Sequence, residues 1–235
     1  NCALTVAQEG FQLTVTNARR VDRGGKLGIG ALNGTTNTTS LNVGQDLVVT
    51  NGGLLYVYAG ATNAGGGSYG ATVSVTGAIR VAAASWIYPF ANGTNGGGVL
   101  LQAADVSIAA SGGINASGKG HLYDQGPGKG IATAGAYPGG GGHGGRGGDG
   151  FSYLYGGTYG GGTYGSVSTP IAAGSGGGTY IYAPNQPPYV GGLGGGSRLG
   201  GDAWLHGSGD GRRGQGEHAS GADGVVVRCS QMVQR

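Results

Sequence analysis

The chain has 235 residues, 60 of them Gly, with a formal net charge of +3 and only 10% charged side chains. Such sparse charge leaves no clustered Lys/Arg face for nucleic acid, and no run approaches the ~18 apolar residues of a membrane span. Glycine at this level points to low complexity, but 13 Tyr and recurrent Val/Leu/Ile runs oppose disorder, while 7 Pro and no sustained three-residue register exclude collagen.

The chain begins at Asn1, as a processed or trimmed chain would, and shows no signal-peptide pattern. Short alternating segments then follow one another. Leu4-x-Val6 and Phe11-x-Leu13-x-Val15 precede a charged turn, "NARRVDRGGK". Leu41-x-Val43, Leu47-x-Val49 and Leu55-x-Val57 come next, with "NGG" before the last. Val73-x-Val75, a turn at Thr76-Gly77, and Ile79-x-Val81 follow, then Val99-x-Leu101 and Val106-x-Ile108. Period two with Gly, Asn or Asp at the breaks is the mark of strands, and no stretch has helical periodicity.

Pairs of strands recur at intervals of roughly 20 to 30 residues, the repeat scale of solenoids. The expected fold is therefore all-β, a glycine-rich parallel β-helix (β-solenoid). "IRVAAAS" and "LLQAADVSIAAS" suit its narrow interior. A β-sandwich is the alternative, with Thr76-Gly77 and Asn51-Gly52-Gly53 as its hairpins. Residues 1–117 form the strand-rich solenoid region. Residues 118–235 form a Gly/Tyr-rich region in which strands nearly vanish, closed by "GVVVRC", the whole being one continuous domain.

The segment "NGGGVLLQAADVSIAASGGINASGKG", with "GGGGHGGRGGDG", "YGSVSTP" and "AAGSGGG", resembles glycine-rich extracellular or cell-surface proteins built on right-handed parallel β-helices. The resemblance covers about residues 96–178 and implies a long, non-catalytic surface solenoid.

Gly144–Ser152 fits the nonapeptide G-G-x-G-x-D-x-U-x, whose stacked copies bind Ca²⁺. A single copy lacks the second turn needed to complete the ion's oxygens, so the stretch reads as a glycine-rich turn with Arg146 and Asp149 capping backbone groups. Glycine-rich phosphate cradles need a following helix, and none follows. His121, His143, His206 and His218 share no metal-ligand spacing. Asp105, Lys119 and Asp124 are the only loose candidates for carbohydrate chemistry. No catalytic residue, metal or cofactor is expected. Tyr153, Tyr155, Tyr159, Tyr164, Tyr180, Tyr182 and Tyr189 read as rings packed over glycine or, if exposed, as contact surface.

Four N-x-[ST] sequons, at Asn33, Asn37, Asn92 and Asn115, point to an oxidising, secreted or cell-surface setting with N-glycans on exposed turns. Cys2 and Cys229 then read as oxidised, to each other or between subunits. The expected function is a structural subunit of an extracellular glycosylated fibre, surface appendage or matrix. It would assemble head to tail with copies of itself through edge strands and solenoid ends. A carbohydrate-binding or carbohydrate-active β-helix, with an extracellular polysaccharide as partner, is the alternative.

Overall fold

A computed structural model describes residues 3–35, 38–62, 69–131, 137–150, 158–165, 171–180, 189–190 and 225–234. These are all-β, with no helix. The strands are β1 (Ala3–Val6), β2 (Gln12–Val15), β3 (Arg19–Val21), β4 (Lys26–Ile29), β5 (Thr39–Val43), β6 (Leu47–Val49) and β7 (Leu54–Tyr58). They continue as β8 (Ala71–Val81), β9 (Trp86–Phe90), β10 (Val99–Ile108), β11 (Gly113–Ile114), β12 (Thr179–Tyr180), β13 (Tyr189–Val190) and β14 (Val225–Gln234).

Two parallel sheets carry the architecture. One has the order β1-β4-β7-β9-β11. The other runs β14-β10-β8-β5-β2, with β3 and β6 continuing it alongside the second half of β8. Gln12 pairs with Ser40, Ser40 with Thr72, and Thr72 with Leu100, so successive coils advance 28, 32 and 28 residues. This is a β-solenoid of about three coils. Every pairing in these sheets is parallel, which excludes the sandwich and its hairpins.

In-register pairing stacks like on like inside the tube. Leu13, Leu41, Val73 and Leu101 form one inward row, and Leu27, Leu55, Ile87 and Ile114 form another. The segments read as Leu41-x-Val43, Leu47-x-Val49, Leu55-x-Val57, Val73-x-Val75 and Ile79-x-Val81 all place both apolar residues in the core. Burial of each such side chain contributes about 1.5–3 kcal/mol.

Three local expectations need correction. Thr76-Gly77 is no turn: β8 runs straight through it, with the sheet bending there. "NARRVDRGGK" is no simple turn either, because β3 and the start of β4 lie within it. Arg20, Arg23 and Lys26 are exposed and Val21 and Leu27 face in, while Arg19 continues the inward row of Leu47 and Ile79 with its Nε buried. The alanines of "VAAAS" and "IAAS" form corners and not interior: Ala83, Ala84, Ala109 and Ala110 are exposed.

Those corners stack where the chain passes from one sheet to the other. Gly25, Gly53, Ser85 and Gly112 each donate an N–H to the carbonyl three residues back, on Asp22, Thr50, Ala82 and Ala109. The first two corners place Arg23-Gly24 and Asn51-Gly52 at positive φ, the Asn-Gly type I′ pattern. The next two need positive φ only at Ala84 (56°) and Ser111 (66°). A polar ladder ties the levels together: Asn51 Nδ2 donates to Asp22 Oδ1 (2.7 Å), and the Gly52 N–H donates to Ser85 Oγ (3.1 Å).

Beyond β11 the chain changes its packing principle. After a turn at 126–128, the runs 129–131, 139–142, 147–150, 158–162 and 173–178 are neither helix nor sheet apart from one bridge between Gly150 and Thr158. The 139–142 run alone bonds to four other segments, through Gly142–Gly128, Gly140–Gly148, Gly161–Gly140 and Ser175–Gly142. A β-strand bonds in only two directions, so this run is not a strand of a sheet. Glycine is required because the backbones nearly touch. A Cβ on Gly139, Gly142 or Gly161 would collide with the carbonyl of Tyr159, Gly162 or Gly128. "GGGGHGGRGGDG" is therefore two packed runs joined at a bend, residues 143–145, and not one long turn.

Candidate functional site

Three surfaces on this scaffold carry functional potential: the open end of the solenoid, an aromatic row on its five-stranded sheet, and the glycine bundle.

The open end is the first coil. Leu4 and Leu27 are register partners, as are Leu13 and Leu41. The Ser40 N–H reaches Phe11 O (2.9 Å) and the Gly44 N–H reaches Val15 O (2.7 Å). Alternate residues of a parallel strand serve alternate neighbours. Phe11, Leu13 and Val15 therefore bond inward to β5, and Gln12 and Thr14 present their N–H and C=O outward. The same parity on β1 turns Leu4 and Val6 toward β4 and leaves Ala3 and Thr5 facing out. Among the described residues no strand pairs with this edge. Leu4 stands 51% exposed there, beside half-buried Phe11 and Leu13.

The aromatic row is Tyr56 and Tyr58 on β7 with Trp86, Tyr88 and Phe90 on β9. Register places Tyr56 on Tyr88 (centroids 5.1 Å, 17° apart) and Tyr58 on Phe90 (4.9 Å). Lys119 Nζ closes the row, 4.6 Å from the Phe90 ring and 5.8 Å from Tyr88. The rings spend their faces on one another, so the row braces the sheet and offers mainly edges outward. The sequence signal was present in the outward positions of "LLYVY" and "WIYPF". Pro89 disguised the second as a non-strand. Its missing N–H points toward β11, which ends before reaching it, so the ladder loses nothing there.

In the glycine bundle, Tyr164 donates to Ala173 O and accepts from Ser175 Oγ (2.9 Å), while Ser175 Oγ accepts the Gly128 N–H (2.9 Å). Burial pushes the Tyr164 hydroxyl up to about 12. His143 packs edge-on to Tyr164 (4.9 Å, 89°). His121, 4% exposed, is held below the usual imidazole range by burial, with the charge of His143 acting in the same direction and a Gly93 backbone hydrogen bond opposing. Both histidines are buried. Asp149 Oδ1 pairs with Arg146 (2.6 Å) and accepts the Gly160 N–H (2.7 Å). Asp149 is thus an intramolecular cap, and no group of metal-binding side chains occurs among the described residues. Phe151 and Ser152 of the nonapeptide lie outside them, as do His206 and His218.

Asp105, Lys119 and Asp124 are not brought together. Asp105 sits on β10 at the bend, with Oδ1 buried and unpartnered. Lys119 lies against the aromatic row, and Asp124 holds Thr179 through its N–H and hydroxyl.

The sequons divide. Asn92 is only 2% exposed: Nδ2 donates to Gly34 O (2.8 Å), and Oδ1 accepts the N–H groups of Thr94 and Asn95. The expectation of an exposed turn fails there, because the side chain is a bracket between coils. Asn33 and Asn115 are half-buried, with Oδ1 bound to the N–H of Gly93 and Ser117 and Nδ2 left as the remaining arm. Asn37 lies outside the described residues.

Cys2 also lies outside them. Its neighbour Ala3 begins the end strand of the first coil, while Cys229 lies on β14 in register with Ala103. β14 is four strand spacings from β2, ~19 Å along the axis. Of Tyr153, Tyr155 and Tyr182 nothing is described; Tyr180 and Tyr189 pair as β12 and β13. Compared with family models, curated proteins and solved structures, the chain matches none.

Proposed function

We propose that the chain is a structural subunit that assembles end to end, in an extracellular fibre, surface appendage or matrix. The open edge of the first coil is the observation that carries this reading. A row of outward N–H and C=O groups beside half-exposed Leu4, Phe11 and Leu13 is a template for another parallel strand. At the far end, β14 is the outermost strand of its sheet and runs in the same direction. Strand β14 of one subunit laid on β2 and β3 of the next continues the sheet without reversal. Such a head-to-tail contact repeats without closing and yields a filament. Oxidation of Cys2 and Cys229, joining successive subunits, belongs to the same proposal. The extracellular setting rests on the sequons, with Asn33 and Asn115 as glycan sites.

The test is a proline scan of the edge read by sedimentation velocity. Thr5→Pro and Gln12→Pro remove only outward donors and obstruct an incoming strand, so they are expected to abolish assembly and keep the fold. Leu13→Pro breaks an internal bond and is expected to damage the fold itself. Wild-type protein that stays monomeric at the highest attainable concentration contradicts the reading.

A further inference from the structure

The seven-stranded sheet bends outward-concave where β5 gives way to β6 and where β8 and β10 change register between Ala103 and Asp105. Along this bend runs a groove of about 860 Å³. Its floor is a row of register partners, one per coil: Thr14, Asn42, Ser74 and Gln102. Thr16 and Thr76 flank it on the other side of the bend.

Two properties distinguish this row from the rest of the surface. Its side chains make no hydrogen bond with any described residue, whereas Asn33, Asn51, Asn92, Asn95 and Asn115 all have intramolecular partners. These four residues are also uncharged, and the next register position, on β14, is Arg228. Asp46 and Arg80 on the adjoining limb are paired with each other at 3.2 Å, and Asp46 Oδ1 accepts the Ala78 N–H as well.

Beneath Asn42, Ser74 and Gln102 the backbone is used by the parallel ladder, and the open groups of Thr14 lie at the sheet edge and not in the groove, so an added strand finds nothing there to pair with. A ligand must address the hydroxyls and amides themselves. They repeat every ~4.8 Å over ~14 Å, close to the rise of successive rings in an extended pyranose polymer. Amides and hydroxyls both donate and accept, as sugar hydroxyls require. No charged side chain stands among the four, so the row itself addresses hydroxyls and not ions. We propose that this groove binds an extended neutral polysaccharide along the solenoid axis, with successive sugar units seated on Thr14, Asn42, Ser74 and Gln102. The row lies on an outer sheet face, and only Thr14 belongs to the edge strand β2, so Asn42, Ser74 and Gln102 remain accessible whether or not the subunits assemble.

The experiment titrates the isotope-labelled chain Asn1–Arg235, carrying Gln12→Pro to keep it monomeric, with cellohexaose, maltohexaose and chitohexaose. A hexagalacturonate serves as the acidic control, and the side-chain amide resonances of Asn42 and Gln102 are followed by NMR. At least one neutral hexamer is expected to shift both resonances saturably, with a Kd below about 1 mM. Asn42→Ala and Gln102→Ala should each weaken that binding about tenfold, and the matching disaccharide should bind at least tenfold more weakly. Asn42 and Gln102 face outward, so both variants are expected to retain the wild-type backbone spectrum. The proposal is overturned if no neutral hexamer shifts these resonances, if both variants bind as wild type does, or if the acidic hexamer binds more tightly.

Discussion

Ala84 holds φ at +56°, in the left-handed region where a Cβ is strained by about 1–2 kcal/mol. The other levels of the same corner answer this demand with Gly24, Gly52 or Ser111. Ala84→Gly is expected to stabilise the protein by about 0.5–1 kcal/mol, the relief of strain exceeding glycine's entropy cost. Gly53→Ala one level below should do the reverse, since its Cβ would strike Val21 O. Paired thermal melts of the two variants, moving in opposite directions, check this. His121 gives a second expectation at this scale. Its folded pKa lies below the unfolded value of 6.5, mainly through burial. Both states bind the same number of protons well above pH 6.5. Below it the unfolded chain takes up a proton that the folded bundle resists, so stability falls as pH drops through that range. His121→Gln should flatten this part of the stability–pH curve; an unchanged slope would show that His121 is not its source.

Elements divide into those legible in sequence and those hidden by chemistry shared between roles. The alternating pairs from Leu41 to Val81 revealed both strand and inward face, because solenoid stacking buries one side of every coil and leaves the other wet. β3 was hidden because Arg19 and Arg20 look like turn residues, although Arg19 shares the inward row of Leu47 and only Arg20 faces solvent. "WIYPF" was hidden by Pro89. The aromatic row it completes predicts that Tyr88→Ala, which deletes the ring between Tyr56 and Trp86 and under Lys119, costs about 1.5–3 kcal/mol. Denaturant titration measures it, and a change within 0.5 kcal/mol would mean the stacking adds nothing. The glycine runs were the hardest to read. Their glycine content was plain, but a run that bonds to four neighbours has no period to detect, since nearly every residue must be small. Gly161→Ala is expected to cost about 3 kcal/mol by forcing its backbone off that of Gly128. Circular dichroism melts should show the bundle lost before the β-signal of the solenoid.

At the scale of the molecule, the parallel β-solenoid was legible from the spacing of strand pairs. Register then fixed coils of 28 and 32 residues. The candidate sites were less so. Asn92 reads as an exposed sequon until its amide is seen bridging to Gly34, because burial of a polar bracket leaves no mark in composition. The neutral row Thr14–Asn42–Ser74–Gln102 is invisible until register aligns residues about 30 apart. The same coil geometry places Cys229 at the opposite end from Ala3, so oxidised protein is expected to show disulfide-linked dimers and larger species on non-reducing electrophoresis. A wholly monomeric, disulfide-closed band would contradict end-to-end pairing. The most direct measurement is residue-resolved hydrogen exchange on dilute and assembled protein. The account predicts that the amides of Thr5, Gln12 and Thr14 exchange freely in the monomer and gain strong protection on assembly, while those of Leu4, Val6 and Leu13 are protected in both. Outward amides that exchange equally fast in both samples would contradict it.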